Sequence, residues 1–186
     1  MLRFMSIRKA ALALRSGGVI AYPTEGVYGL GCLPDEAEAV AEILLMKKRK
    51  AEMGLLLIAS NEEQLAPWID LPGNLSIPPP SQQHPVTWVV PAADDAPYWI
   101  TGGRDTVAVR VTDFPIAAAL CDAANSALVS TSANVSGHQP ARNTYVLRHQ
   151  FHDLVDYIVP GRCGPAAGPS EIRDLKSGST LRPARK

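Results

Sequence analysis

A short apolar run, Val19-Ile20-Ala21, empties into Tyr22-Pro23-Thr24-Glu25-Gly26-Val27-Tyr28-Gly29-Leu30-Gly31, and no other stretch limits the possible folds as much. The run reads as a buried strand. Pro34-Asp35-Glu36-Ala37-Glu38, just beyond, reads as a helix start. The connection between them carries a hydroxyl, a carboxylate and a phenol, and its glycines allow a tight turn or a close approach to a ligand. Taken alone, the stretch also fits a plain strand-to-helix connection with two tyrosines packed beneath it. The rest of the chain must decide.

Strand and helix signals alternate along the whole length. Ile7, Ala10, Ala11 and Leu14 fall at helical spacing over residues 6–16, before Gly17-Gly18. Asp35 and Glu38 predict a capping box for a helix with Ala37, Val40, Ala41 and Leu44 on one face. That helix ends in Lys47-Lys48-Arg49-Lys50, where cations suit the negative end of the helix dipole. Leu55-Leu56-Leu57-Ile58-Ala59 predicts a central strand buried on both faces. Asn61 caps a short helix to about Trp68, and residues 70–85, rich in Pro, Ser and Gln, predict a long surface loop. Val86–Val90 and Val107–Val111 read as strands separated by a second loop, 91–105. A helix over Phe114–Ala124, capped by Asp113, precedes Ala127-Leu128-Val129, a strand leading into Ser130-Thr131-Ser132-Ala133-Asn134. Residues 143–150 predict a helix, Tyr157-Ile158-Val159 a strand, and 170–175 and 180–182 two short final strands. The alternation predicts an α/β fold with a twisted mixed sheet and flanking helices, a single domain over residues 1–186.

Bulk properties narrow the class without naming a partner. Eighteen basic residues balance eighteen acidic ones, so any grip on an anion must come from a local patch. Three cysteines at unrelated spacings fit neither a disulfide framework nor a metal site, and no run is long enough to span a membrane. Both features predict a cytoplasmic protein with no membrane contact.

Polar side chains recur where apolar strands end: Thr24, Arg110, Ser130 to Asn134, and Ser170. Sites in open α/β sheets gather at strand ends. An arginine inside the run Val107-Ala108-Val109-Arg110-Val111 is costly unless something pairs it. His84, His138, His149 and His152 show no metal-ligand spacing, and no Ser-His-Asp order or phosphate-loop motif is present. Hydroxyls, amides and cations without a nucleophile predict a held anionic ligand, with positioning and charge neutralisation carrying any chemistry.

These motifs, in this order, resemble the YrdC/TsaC-type threonylcarbamoyl-AMP synthases in their single-domain form. The resemblance rests on Tyr22 to Gly31, Lys47-Lys48-Arg49, Val107 to Val111, Ser130 to Gly137, and Pro169-Ser170-Glu171-Ile172-Arg173-Asp174. It implies a large, concave, positively charged cavity and a nucleotidyltransferase that uses L-threonine, bicarbonate or CO2, and ATP. The product, threonylcarbamoyladenylate, would pass to separate threonylcarbamoyl-transfer proteins that modify tRNA beside the anticodon, with a tRNA contact by the enzyme itself also open. By the resemblance, Thr24, Tyr28, Arg110, Ser130 and Ser170 would hold threonine. Lys47, Arg49, Thr106, Ser132, Asn134 and Arg182 would face ATP, with Mg²⁺ on its phosphates. No residue is assigned as a general base or a metal ligand.

Three departures bear on that reading. Gly26 stands where the family commonly has Thr, and Met53 where a lysine is usual. A Pro-Gly-Pro turn is replaced by Gln83-His84-Pro85, which predicts a mobile segment over 74–84 at the cavity rim. The altered loop leaves a second reading, a non-catalytic tRNA- or double-stranded-RNA-binding module on the same fold. A carbamoyl-transfer domain of the kind found in larger hydrogenase-maturation proteins is a third.

Overall fold

A computed structural model describes residues 2–184. Its strands form one mixed sheet in the order β7-β1-β2-β6-β3-β5-β4-β8-β9. In chain order these are β1 (Ile20–Pro23), β2 (Tyr28–Gly31), β3 (Leu56–Ala59), β4 (Val86–Pro91), β5 (Thr106–Val111), β6 (Leu128–Ser132), β7 (Tyr157–Ile158), β8 (Glu171–Asp174) and β9 (Thr180–Arg182). The helices are α1 (Leu2–Arg15), α2 (Ala37–Lys47), α3 (Tyr98–Thr101), α4 (Pro115–Ala124) and α5 (Thr144–Phe151). β3 sits between β5, parallel to it, and β6, antiparallel to it, as a fully apolar run demands. No helix among the described residues is long and apolar enough to cross a membrane.

Period-two alternation divides each central strand between two cores. Ile20, Tyr22, Ile58 and Leu128 pack with Ala10 and Leu14 of α1 and with Ile116, Ala117 and Leu120 of α4. Their neighbours Val19, Ala21, Leu57 and Val129 point the other way, among Val40 and Ile43 of α2 and Leu147 and Phe151 of α5. A one-residue slip in any of these strands would exchange the two sets, so the register is strongly specified.

Several local expectations change. Tyr22 to Gly31 is a β-hairpin, not a strand-to-helix connection: β1 and β2 pair antiparallel, from Ile20 with Gly31 to Pro23 with Tyr28. Asp35 does not cap α2, which follows Glu36 with no side-chain cap bond, and its buried face is Ala39, Val40, Ile43 and Lys47. Asp113 does not cap α4; instead the Phe114 N–H donates to Thr112 Oγ1 at 3.1 Å. The loop 91–105 contains α3, and the helix after Asn61 is a single 3-10 turn at Glu63–Leu65, with Asn61 Oδ1 accepting from Gln64 N–H. Residues 70–85 lack regular structure, yet Ile77 is buried and its N–H donates to Glu62 Oε2 at 3.1 Å.

The sulfhydryls lead to a pH prediction. Cys32 and Cys121 are free and buried. Burial, ahead of nearby carboxylates, pushes both thiols up from the ordinary value, Cys121 to about 12. A folded thiol that keeps its proton stabilises fully below the unfolded pKa, near 9.0, and loses that contribution as pH rises toward the folded value. Melting temperature should therefore fall above about pH 9, each such thiol contributing roughly 1.4 kcal/mol per pH unit. Thermal melts from about pH 8 to about pH 11 should show a shallower decline for Cys121→Ala. Parallel curves would refute the assignment.

Candidate active site

α1 and α4 cover only part of the sheet face that they pack on. Directly opposed residues share a side of the sheet. Ile58 opposes both Leu128 and Arg110, while Leu56 opposes Ser130 and Val89 opposes Ala108. Going along β3, β6 and β5 on this face, apolar residues under the helices therefore give way to Leu56, Ser130, Ser132, Ala108 and Thr106. These residues line a cavity of about 710 Å³, closed on other sides by the 24–29 turn, the 137–142 loop and residues 167–170. The hydroxyls that follow the apolar run of β6, and Thr106 at the start of β5, are thus where those strands pass out from beneath a helix.

The lining is cationic. Arg49, Arg104, Arg110, Arg142 and Arg182 all contribute to it, and none of the lining residues is acidic. Arg110 is buried, its Nη2 lying 3.2 Å from Glu25 Oε2, and Glu25 Oε1 accepts from Thr112 Oγ1 at 2.6 Å. The charge inside an apolar strand is thus first explained by Glu25, a residue of the hairpin turn that the sequence reading left without a role. Arg110 Nε is buried and has no hydrogen-bond partner among the described residues. Thr24, whose Oγ1 donates to Val27 O at 2.8 Å, Ser130, and Ser170, bonded through its hydroxyl to Thr87 at 2.7 Å, line the same cavity.

Other lining residues hold one another through further hydrogen bonds. Arg49 Nη2 donates to Gly54 O at 2.9 Å and Met53 O at 3.3 Å, and Arg182 Nη2 donates to Ser170 O at 2.9 Å. Burial first, then the charges of Arg182 and Arg104, push the Arg49 guanidinium below the ordinary arginine range. Ser132 Oγ donates to Asn134 Oδ1 at 2.6 Å, while Asn134 Nδ2 donates to the carbonyls of Val135 and His138. Thr106 also lines the cavity.

Two expected site residues do not line it. Tyr28 is fully buried, and its hydroxyl donates to Gly161 O at 2.7 Å, so it holds the 160s segment against the hairpin. Lys47 is only 3% exposed, and its ammonium donates to Ser132 O and to Asn134 O. Burial, then Arg49, pushes the Lys47 pKa down to about 8. Its ammonium is engaged by the carbonyls of Ser132 and Asn134, so it supports the backbone that presents these two residues.

The departures also find their places. A Cβ on Gly26 would lie 2.1 Å from Gly168 O, so glycine there lets residues 166–168 close over the turn. His84 is exposed and lies in a separate groove of about 140 Å³ with Pro78, Pro80 and Trp88. Of the altered turn only Pro85 reaches the main cavity. His149 and His152, on α5 and at its end, lie outside it, whereas His138 lines it. Glu25, Thr87, Arg104 and Arg142 escaped the sequence reading because their significance depends on contacts across the sheet.

Mg²⁺ usually takes one or two carboxylates besides substrate phosphates and waters. The described lining offers it none. Protein-held Mg²⁺ does not fit this site.

A family model described as "Telomere recombination", covering Sua5, YciO and YrdC proteins, matches residues 12–185. The chain is 51% identical over 178 residues to a protein from Halorhodospira halophila named threonylcarbamoyl-AMP synthase, covering 95% of this chain and 93% of that one. It is 47% identical to a protein of the same name from Cellvibrio japonicus, covering 96% and 95%. The fold matches Pyrococcus abyssi Sua5 complexed with L-threonine at a TM-score of 0.83 and 32% identity, covering 95% of this chain and 53% of that one. A motif order legible in sequence, an arginine-lined cavity and these likenesses agree: the chain belongs to the Sua5/YciO/YrdC family.

Proposed function

We propose that this chain is a threonylcarbamoyl-AMP synthase, joining L-threonine, CO2 or bicarbonate, and ATP, and releasing pyrophosphate. The observation that carries the reading is the arginine-lined cavity with Arg110 at its base, its Nε buried and unmet. A carboxylate accepting from a guanidinium forms two parallel charge-assisted bonds, and the threonine carboxylate satisfies that donor. Thr24, Ser130, Ser170 and Thr87 offer hydroxyls to the rest of the amino acid, and Arg49, Arg182, Ser132, Asn134 and Thr106 receive the nucleotide.

The threonine amine adds to CO2, forming an N–C bond and losing a proton to give a carbamate. A carbamate oxygen then attacks the α-phosphorus of ATP, and the bond to the bridging oxygen of the β-phosphate breaks. Pyrophosphate leaves with that electron pair. The arginines neutralise the charge that develops on it, so catalysis rests on orientation and electrostatics. The product feeds tRNA modification through separate transfer proteins. The altered loop that favoured an RNA-binding module reaches the cavity only through Pro85, so it lends that alternative little support.

The test is threonine- and bicarbonate-dependent pyrophosphate release from ATP by the purified chain. Within that assay Arg110→Lys should raise the threonine requirement by roughly 100-fold, because an ammonium cannot reproduce the bidentate fork. Calorimetry showing unchanged threonine affinity in Arg110→Lys would make Arg110 structural, a partner of Glu25 alone.

A further inference from the structure

Two guanidinium groups grip one short turn at the nucleotide rim of the cavity. Arg49 donates to the carbonyls of Met53 and Gly54, and Arg104 Nη1 donates to the carbonyl of Glu52 at 2.9 Å. The residues between them form a 3-10 turn, Ala51–Met53, closed by Gly54. Arg104 comes from the loop after α3, and that loop is pressed against the turn. A Cβ on Gly102, at φ 66°, would lie 2.4 Å from Glu52 O, and Leu55 N–H donates to Ile100 O at 3.0 Å. Arg104 is therefore held at the rim by packing as well as by its own bond.

Neither arginine has a carboxylate partner among the described residues. The ion pairs among the described residues are Arg110–Glu25, His152–Asp153 and Arg173–Glu171. Arg49 Nε is buried with no hydrogen-bond partner among the described residues. Each guanidinium has five N–H donors, and the turn occupies one direction of each fork. Two like charges held side by side against neutral carbonyls, at the edge of a cavity without acidic lining, form a receptor for a multiply charged anion. Met53, 57% exposed, lines the same rim and adds no charge to it.

We propose that Arg104 binds phosphate, forming with Arg49 a clasp on the Ala51–Gly54 turn for the pyrophosphate end of the nucleotide. This rests on the nucleotide reading above. It gives the site a cation that comes from a different loop from the Lys47-Lys48-Arg49-Lys50 cluster. Arg104 acts on ATP and on pyrophosphate, not on threonine, whose subsite is built around Arg110.

The test is calorimetry of the full chain with inorganic tripolyphosphate, beside kinetics of pyrophosphate release. Arg104→Gln should weaken tripolyphosphate and raise the KM for ATP by about tenfold, equivalent to about 1.4 kcal/mol. Threonine affinity and melting temperature should stay as in the parent chain. Adding Met53→Lys to Arg104→Gln should recover most of the loss by restoring a cation to the same rim; a merely structural Arg104 would not be rescued in this way. Unchanged tripolyphosphate affinity in Arg104→Gln would overturn the proposal, as would no tripolyphosphate binding by the parent chain. So would a parallel loss of threonine affinity and thermal stability. If the parent shows no threonine-dependent pyrophosphate release while Arg104→Gln still weakens tripolyphosphate, the synthase reading fails and the anion clasp stands.

Discussion

Replacing Glu25 with alanine should destabilise the protein by roughly 3–5 kcal/mol, because it leaves the Arg110 guanidinium buried without its charge partner. Glu25 is 1% exposed and Arg110 6%, and Thr112 Oγ1 loses its acceptor in the same change. In a chain of this size each kcal/mol lowers the melting temperature by about 2–4 °C, so a drop on the order of 10 °C is expected. Threonine binding should weaken as well, since Glu25 sets the direction of the fork. The double variant Glu25→Ala with Arg110→Met removes both charges and should recover much of the stability but none of the threonine affinity. That split separates folding from binding in one buried pair. A Glu25→Ala chain that melts within about 1 °C of the parent would show that the pair is not the support proposed.

The second large effect divides two neighbouring cations. Arg49→Gln should weaken ATP by roughly 10- to 100-fold, the value of a hydrogen bond to a charged group, with little change in melting temperature. Lys47→Gln should do the opposite. Its ammonium satisfies the carbonyls of Ser132 and Asn134, and each buried acceptor left unmet costs roughly 1–3 kcal/mol. Part of that loss is offset, since a buried ammonium depressed to about 8 is itself costly to hold charged. A chain carrying both substitutions should therefore lose ATP affinity and stability together. If Lys47→Gln removes ATP binding at full thermal stability, the side chain serves the ligand and not the Ser132–Asn134 backbone. Differential scanning fluorimetry beside ATP calorimetry on both single variants reads the two effects separately.

Arg49 and Lys47 also show where reading a sequence stops. Spacing along one helix end puts both in a basic cluster, but the αL turn at Lys48 (φ 49°) sends the side chains on either side of it in different directions. Lys47 turns inward to the end of β6, and Arg49 turns to the cavity rim. Tyr28 is a similar case. A phenol in a glycine-rich turn looks available to a ligand, yet pairing of Pro23 with Tyr28 makes it the first residue of β2, packed inside the core.

What the sequence by itself determined is the class of fold and the chemistry of the site. Short continuous apolar runs dictated buried strands, and the hydroxyls and cations near their ends marked the chemistry of the site. Local pattern suffices there, because burial acts residue by residue along one strand. Only the tertiary structure decided the partners. Glu25 meets Arg110 from 85 positions away in sequence terms of chain order, Thr112 reaches Glu25 across 87 positions, and Thr87 meets Ser170 across 83. A buried charge or hydroxyl must find its complement wherever the sheet brings one, and sheet order joins strands that no spacing rule connects. The strand order, β6 between β2 and β3 and β8 beside β4, is what turns scattered polar residues into one cavity.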